Sequence, residues 1–479
     1  MRRTAPLFVA IGALWIGAAP TRAQAPVPTP IQPRTQPRSR DCDLEFKGVT
    51  VGGVGTTHFQ SSTTSTGQSN VIAGGGVDGR CANSDQRVTS DSAEHYGDQR
   101  LVYLIGRVHY TEARVQLDAD RITYYMADER LVAEGNVVGR TNTGTRFKGP
   151  RATYLRAKAG LRTGSRLDAG GRPDTWISGT DVSNDATHAD SVHVIADSII
   201  SENDSLVYAR GSVIIDRPDL VSTADSAMMD QGREIVALRK SPKVVGRGAH
   251  KFTLEGAEID IMSRNRQAER VRSSGTAKAT SDEMQLEADS IDLRMADQKL
   301  SRAIAWGPKG ARAAQSGRDI TADSIDVVMP GQVLQSMHAV RHARVESVPD
   351  STKVKSSQRD WFAGDTVVAE FDPPAPNDTA GQAALKRLVS RGSAKSWQQG
   401  SRSGVPLPDS TPAINYMQGR MITVDFAPDR SLDRLRVFDQ VTGVLVQPVS
   451  DTAKAKPVPV PVPVPPKKPG PGAAAREPK

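Results

Sequence analysis

The chain has 479 residues, of which 37% are hydrophobic and only 5% aromatic. That length exceeds one ordinary domain, and so thin an apolar supply argues for an elongated, thin-cored molecule over a large globular enzyme. The formal net charge of +8 suggests nucleic acid until it is partitioned. Removing Arg2, Arg3 and Arg22 takes it to +5, and the tail from Asp451 holds six Lys/Arg against two acids, which leaves the body at +1. The basicity sits at the ends, so a nucleic-acid surface is excluded as an organising feature.

In chain order, Arg2 and Arg3 precede an apolar run from Leu7 to Ala19 and then Ala23-Gln24-Ala25. This is the layout of a secretory signal peptide with a small-x-small cleavage site, so residues 1–25 are expected to be removed on export to the periplasm. The run is shorter than the roughly 20 residues a membrane-spanning helix needs, and an uncleaved anchor is the alternative. Cys42 follows Arg38-Ser39-Arg40-Asp41, which is no lipoprotein context, although outer-membrane association is kept open. Residues 26–41 form a Pro-rich spacer and 451–479 a Pro-rich disordered tail. Cys42 and Cys81 are the sole cysteines, and an oxidising compartment permits them to pair across a loop of about 40 residues, worth roughly 3–4 kcal/mol.

Between the proline-rich ends the chain alternates in short apolar and polar steps punctuated by Gly and Asp, which predicts an all-β, antiparallel protein. "ADSI" recurs at 196–199, 288–291 and 322–325, and its register extends through most of the body. The residue in the Ile position is Ala93, Ile122, Ala152, Ile199, Ala227, Ile259, Ile291, Ile325, Val367 and Met421. Successive markers lie 28 to 34 residues apart except for gaps of 47, 42 and 54; the first of these holds an extra A-D-S-V at 189–192. A repeat near thirty residues organises the chain. Each unit has a second half with an apolar pair, a glycine and another apolar run, as in "LVYLIGRVHY" (101–110), "LVAEGNVVG" (131–139) and "LVYARGSVII" (206–215). Glycine there predicts a bulge or sharp bend, because it tolerates positive φ and close backbone approach. Ten two-strand units predict about twenty strands, with turns such as Ala127-Asp128-Glu129-Arg130, and the leading Asp is expected in an Asx-type turn at each strand start. Alternation puts Ile291, Leu293 and Met295 on one face, and likewise Ile325, Val327 and Met329 together with Asp323.

The stretch "ADRITYYMADERLVAEGNVVGRTNTGTRFKGPRATYL" (119–155) resembles the OstA-like, LptA-like domain family of the lipopolysaccharide-transport proteins. A-D-x-x-x-Y, a polar turn, L-V-A-x-G-N-V and a strand with a late Tyr carry the likeness, strongest from Cys81 to Leu155 and looser to about 345. The resemblance implies a β-jellyroll of taco-like form whose apolar groove holds the acyl chains of lipopolysaccharide. It also implies partners in other lipopolysaccharide-transport proteins joined edge strand to edge strand, and no catalysis, cofactor or metal. The chain departs from the family in its length, in its Pro-Val tail, and in the loss of G-N-V from its later units. The expected organisation is an OstA-like jellyroll over 42–180 and a second β-repeat region over 181–450, as one long groove or two consecutive jellyrolls. Candidate groove residues are Ile122, Tyr124, Val132, Val137, Ile199, Val207, Val213, Ile291, Leu293, Ile325 and Val327; the competing view is that they fill a dry β-core.

Other constellations carry less. "VIAGGGVDGR" (71–80) lacks the Gly-Lys-Ser/Thr ending of a phosphate loop and is expected to be a flexible turn. His188 and His193, near Asp185 and Asp190, fall on opposite faces of a strand, and His338 and His342 share a face without an obvious third metal ligand. No G-x-S-x-G or H-E-x-x-H occurs, and carboxylates recur at turn positions rather than in catalytic pairs. The functions left are a periplasmic lipid conduit, peripheral to membranes, and a secreted structural or adhesive β-repeat scaffold without lipid.

Overall fold

The computed structural model describes residues 44–447, apart from 52–53, 83, 179–190, 204, 248–250, 283, 316, 350–353, 355, 375–382, 401–411 and 428–431. The leader, both Pro-rich segments, Cys42, Asp185, His188 and Asp190 lie outside the described residues.

The chain is an antiparallel meander. β1 (Leu44–Gly48) and β4 (His58–Thr63) pair with the two halves of β5 (Ser69–Cys81), while β2 (Thr50–Val51) and β3 (Val54–Gly55) form a small ladder of their own. From β5 the ladder runs without a break through β6 (Arg87–Tyr96), β7 (Leu101–Thr111), β8 (Val115–Tyr125), β9 (Arg130–Thr141) and β10 (Thr145–Leu155). The next strands are interrupted where they bend, so each is two segments: β11 (Arg166–Gly170) with β12 (Asp174–Ile177), then β13 (Val192–Ile195) with β14 (Ser198–Glu202). β15 (Leu206–Asp216) and β16 (Leu220–Asp230) are continuous again, followed by the split pairs β17 (Ile235–Arg239) with β18 (Lys243–Gly246) and β19 (Phe252–Glu255) with β20 (Glu258–Arg264). The meander continues through β21 (Gln267–Ser281), β22 (Gln285–Ala296), β23 (Lys299–Gln315), β24 (Arg318–Val328), β25 (Ser336–Ser347), β26 (Asp360–Asp372), β27 (Ala384–Gly400) and β28 (Ala413–Phe426). It ends on β29 (Leu432–Phe438) and β30 (Thr442–Val446), which pair with the two halves of β28.

Each of the ten markers falls on the first strand of a two-strand unit, as the repeat requires. The 47-residue gap holds no extra unit. Val192 opens β13, the first half of the bent strand whose second half, β14, carries Ile199.

The bends explain the repeat. At the middle of a strand two consecutive residues take positive φ, as in Gly106-Arg107, Gly135-Asn136, Gly211-Ser212, Gly275-Thr276 and Gly392-Ser393, and the ladder slips there. A Cβ on Gly135 would overlap the carboxylate of Asp120 on the preceding strand, and Gly106 faces Asp91 in the same way. The Asp of the repeated phrase is therefore not at a strand start in an Asx turn. It lies over the next strand's bend, where Asp120 accepts from Asn136 Nδ2 at 2.8 Å and Asp91 from Arg107 Nη2 at 2.6 Å. A mid-strand bulge serves the same end in "VIAGGGVDGR": it is no turn but the body of β5, bent at Gly75 and Gly76.

Alternation slips by one residue on the strand that carries the aspartate, whereas across the glycine pair the period of two is kept, as in Val102, Leu104, Val108 and Tyr110 on β7. Along β8 the buried apolar residues are Val115, Leu117 and Ala119 before the slip and Ile122 and Tyr124 after it. Asp323 accordingly does not share the face of Ile325 and Val327. It sits at the slip between buried Ala322 and Ile325, half-buried and 3.0 Å from His342 Nδ1. Nine of the ten markers are buried on the inner face; at the tenth, Met421 is half-buried and Ile422 takes the inner position.

Two apolar clusters fill the inner face, one from Ala73 to Ala169 and one from Ile177 to Val424, under a hydrogen-bonded ladder that passes unbroken from β10 to β15. Bending at mid-strand folds each strand onto itself so that both halves bury apolar side chains against one interior. The bend is the sensitive point. Gly135→Ala is expected to cost about 1–3 kcal/mol of stability in chemical denaturation, since it combines positive φ with a clash. Gly170→Ala, in open space, is expected to stay within about 0.5 kcal/mol; equal effects would refute the role given to the bend.

Candidate functional site

The inner face is the candidate site. Ile122, Tyr124 and Val137 line the first cluster, and Ile199, Val207, Val213, Ile291, Leu293, Ile325 and Val327 the second, all buried. Val132 differs. Ile122 pairs with Ala133 and Tyr124 with Leu131, so those face inward, whereas Val132 pairs with Thr123 and Thr153 on the outer face. It is buried, but outside the apolar cluster.

Sequence reasoning passed over the alanines. Ile291 faces Ala305, which faces Ile325, and Leu293 faces Ala303, which faces Val327, so large residues on β22 and β24 flank small ones on β23. Ala311 and Ala313 continue that row, while Ile304 and Trp306 of the same strand fall on the other face. Alanine is a weak strand former, which hides such positions from a search for β-branched alternation. The signal that could have found them is their period of two beside marker strands.

The two ends of the folded strands meet. Eleven residues of extended strand span about 36 Å. Yet Glu112, just beyond the end of β7, is bonded to Arg156, just beyond the opposite end of β10. Arg156 Nε donates to Glu112 at 2.9 Å and Nη1 to Glu129 at 2.6 Å. Glu112 also accepts from Tyr110 at 3.0 Å and from Tyr154, and Glu129 from Tyr124 at 2.7 Å. Burial first, and the neighbouring carboxylates second, push all three tyrosine hydroxyls above their ordinary range, so they stay protonated donors. Burial opposes the Arg156 charge, but Tyr110, Glu112 and Glu129 outweigh it and hold the guanidinium protonated.

A second link of this kind lies in the other cluster, between β15 and β20. Arg217, beyond the end of β15, donates from Nη1 to Ser263 Oγ at 2.9 Å and from Nη2 to the Arg266 carbonyl at 2.6 Å, at the opposite end of the fold. Asp219 accepts from Arg217 Nε at 3.0 Å and from the Ala268 amide at 2.7 Å. Removing one partner of such a buried ionic group costs about 3–5 kcal/mol, yet replacing the whole group by apolar residues is often neutral. Stability alone does not account for it.

Beside the Arg156 network a small apolar cavity of about 20 Å³, roughly one water molecule, is lined by Val88, Val102, Leu104, Leu131, Tyr110 and Tyr124. Cys81 borders it and is buried; the Cys42 half of the expected disulfide lies outside the described residues.

No family model matches the sequence, and no curated protein matches it significantly. Among solved structures one match is LptH, the LptA homologous periplasmic component of the lipopolysaccharide transport device from Pseudomonas aeruginosa, at 18% identity. It covers 25% of this chain and 85% of that one, with a TM-score of 0.22. Likeness at that level leaves function to the geometry.

Among the described residues the histidines do not converge. His193 stacks on Trp176 with centroids 5.1 Å apart and bonds Asp174; His338 meets Ser336 Oγ at 3.3 Å, across the β25 bulge from His342. No group of three potential metal ligands occurs among the described residues, and no helix there is long and apolar enough to cross a membrane.

The face assignment is checked by a pair of substitutions. Val137→Thr puts a hydroxyl on the fully buried inner face and is expected to cost about 1–3 kcal/mol. Val132→Thr, beside outer-face threonines, is expected to cost under about 1 kcal/mol in the same denaturation assay.

Proposed function

We propose that this chain is a periplasmic lipid-binding conduit in lipopolysaccharide transport to the outer membrane, holding acyl chains along its inner face without catalysis. The observation that carries the reading is an apolar inner face, bent on itself and repeated strand after strand in two clusters, Ala73 to Ala169 and Ile177 to Val424. An acyl chain in water costs about 0.8 kcal/mol per CH₂, so a carrier between membranes needs such a surface shielded by its own backbone. The signal-peptide pattern supports export. The OstA-like motif supports the family reading, because its A-D and G-N-V are Asp120 and Gly135-Asn136, the two sides of one bend.

The partners proposed are lipopolysaccharide acyl chains and other transport proteins joined through edge strands. Both ends of the meander offer such edges: Phe59 on β4 is 51% exposed and Leu445 on β30 is 60% exposed. The two apolar clusters support two consecutive jellyroll units sharing one ladder, and Cys42 is proposed to pair with Cys81.

The second reading, a structural or adhesive scaffold, is favoured by how tightly the interior is packed, with Ile291 and Ile325 at 0% exposure. Native mass spectrometry of protein purified from its own envelope distinguishes the two. Bound acyl lipid is expected, together with capture of lipopolysaccharide by a photoreactive residue at Ile122 or Ile291; lipid-free protein without capture at either position would leave the scaffold. Thiol titration of the denatured exported protein is expected to find no free cysteine.

A further inference from the structure

Polar links join the lips of the folded sheet at two places and share one geometry, with Arg114 Nη1 donating to Ser165 Oγ at 3.2 Å beside the first. Glu112 follows β7 and meets Arg156 after β10, three strands on. Arg217 follows β15 and meets Ser263 and Arg266 at the end of β20, again three bent strands on. Each ties the turn at one end of the strands to the turn at the other, which no ladder hydrogen bond does.

The first link is built unlike a core. It places a guanidinium, two carboxylates and three tyrosine hydroxyls in an apolar interior, each bonded to another member of the set. Apolar residues would pack such a position at no loss, whereas groups that can exchange protein partners for water suit a contact that opens. Its neighbour on the inner side is the apolar cavity, and Tyr110 and Tyr124 belong to both.

We infer that the Arg156–Glu112–Glu129 network is a latch between the lips, and that an acyl chain occupies the N-terminal part of the interior only when the latch is open. This inference rests on the conduit reading and specifies how that interior is regulated. With the latch closed, the cavity beside Leu104 is too small for a whole chain. With it open, the tyrosine hydroxyls and Arg156 turn to water and the halves of β7 to β10 part along the seam opposite their bends. The Arg217–Asp219 link performs the same closure over β15 to β20, short of Ile291 on β22.

The test uses the full mature chain with a fluorescent dodecanoyl fatty acid and a photoreactive diazirine residue at Leu104 or at Ile291. Arg156→Met is expected to raise capture at position 104 at least threefold while leaving capture at 291 within twofold, and Arg156→Lys is expected to fall between it and the native chain. Where Arg156→Met loses its strand signal in circular dichroism, Glu112→Gln keeps the side-chain shape and carries the same expectation. Capture at 291 with no change at 104 in the folded variants overturns the latch and spares the conduit. Absence of capture at both positions in every form overturns the conduit reading, and the latch with it.

Discussion

A carboxylate lying where a Cβ would have to be is the contact on which the rest of this structure depends. At Gly106, Gly135, Gly211 and Gly392 an aspartate of one strand covers a glycine of the next, and the glycine and its successor take positive φ; at Gly275 the neighbour is Ala257, and on β25 Arg341 and His342 make the bend. The corner bends both strands, shifting the alternation by one residue on the aspartate strand and preserving it across the glycine pair on the other, so both halves turn their apolar side chains to the same interior. Repetition of the corner along the meander gives a long fold with an apolar inside and a wet outside from a chain poor in aromatic and aliphatic residues. Burial on one bent sheet replaces the packing of two separate sheets.

The polar groups follow from that geometry. Folding a strand in half brings its ends together, and those ends are turns, where charged residues belong. Glu112, Glu129 and Arg156 are turn-flanking residues that become buried because the lips close over them. Desolvation of three charges is opposed by two ion pairs and three tyrosine donors, so the group is satisfied without being a strong source of stability. The seam is thus held by exchangeable contacts, while the opposite edge is held by backbone geometry. An interior hinged at one side and tied at the other is suited to admitting a long apolar guest.

Much of this was legible in the residues. The thirty-residue repeat, the two-strand unit, the bend glycines and nine inner-face markers all follow from periodicity and from what glycine permits. The misplacements have separate physical causes. A strict period of two carries no allowance for the slip on an aspartate strand and so sets Asp323 beside Ile325; Met421 stands where the phrase is aligned one residue ahead of Ile422, and Val132 belongs to an apolar pair whose two residues point to opposite faces. "VIAGGGVDGR" misled for a reason of its own: three glycines read as a turn, although their φ angles bend a strand whose ladder carries on.

Local pattern alone determined the class of structure, the two-strand repeat and most of the inner-face residues, because propensity, alternation and glycine conformation act within a few residues. Only the tertiary structure decided that the two ends of the strands meet. Arg156 lies 44 residues from Glu112, and no repeat period or turn signal links those positions. Their contact arises from the summed bend of four neighbouring strands, and with it come the closed seam, the buried tyrosines and the cavity beneath them.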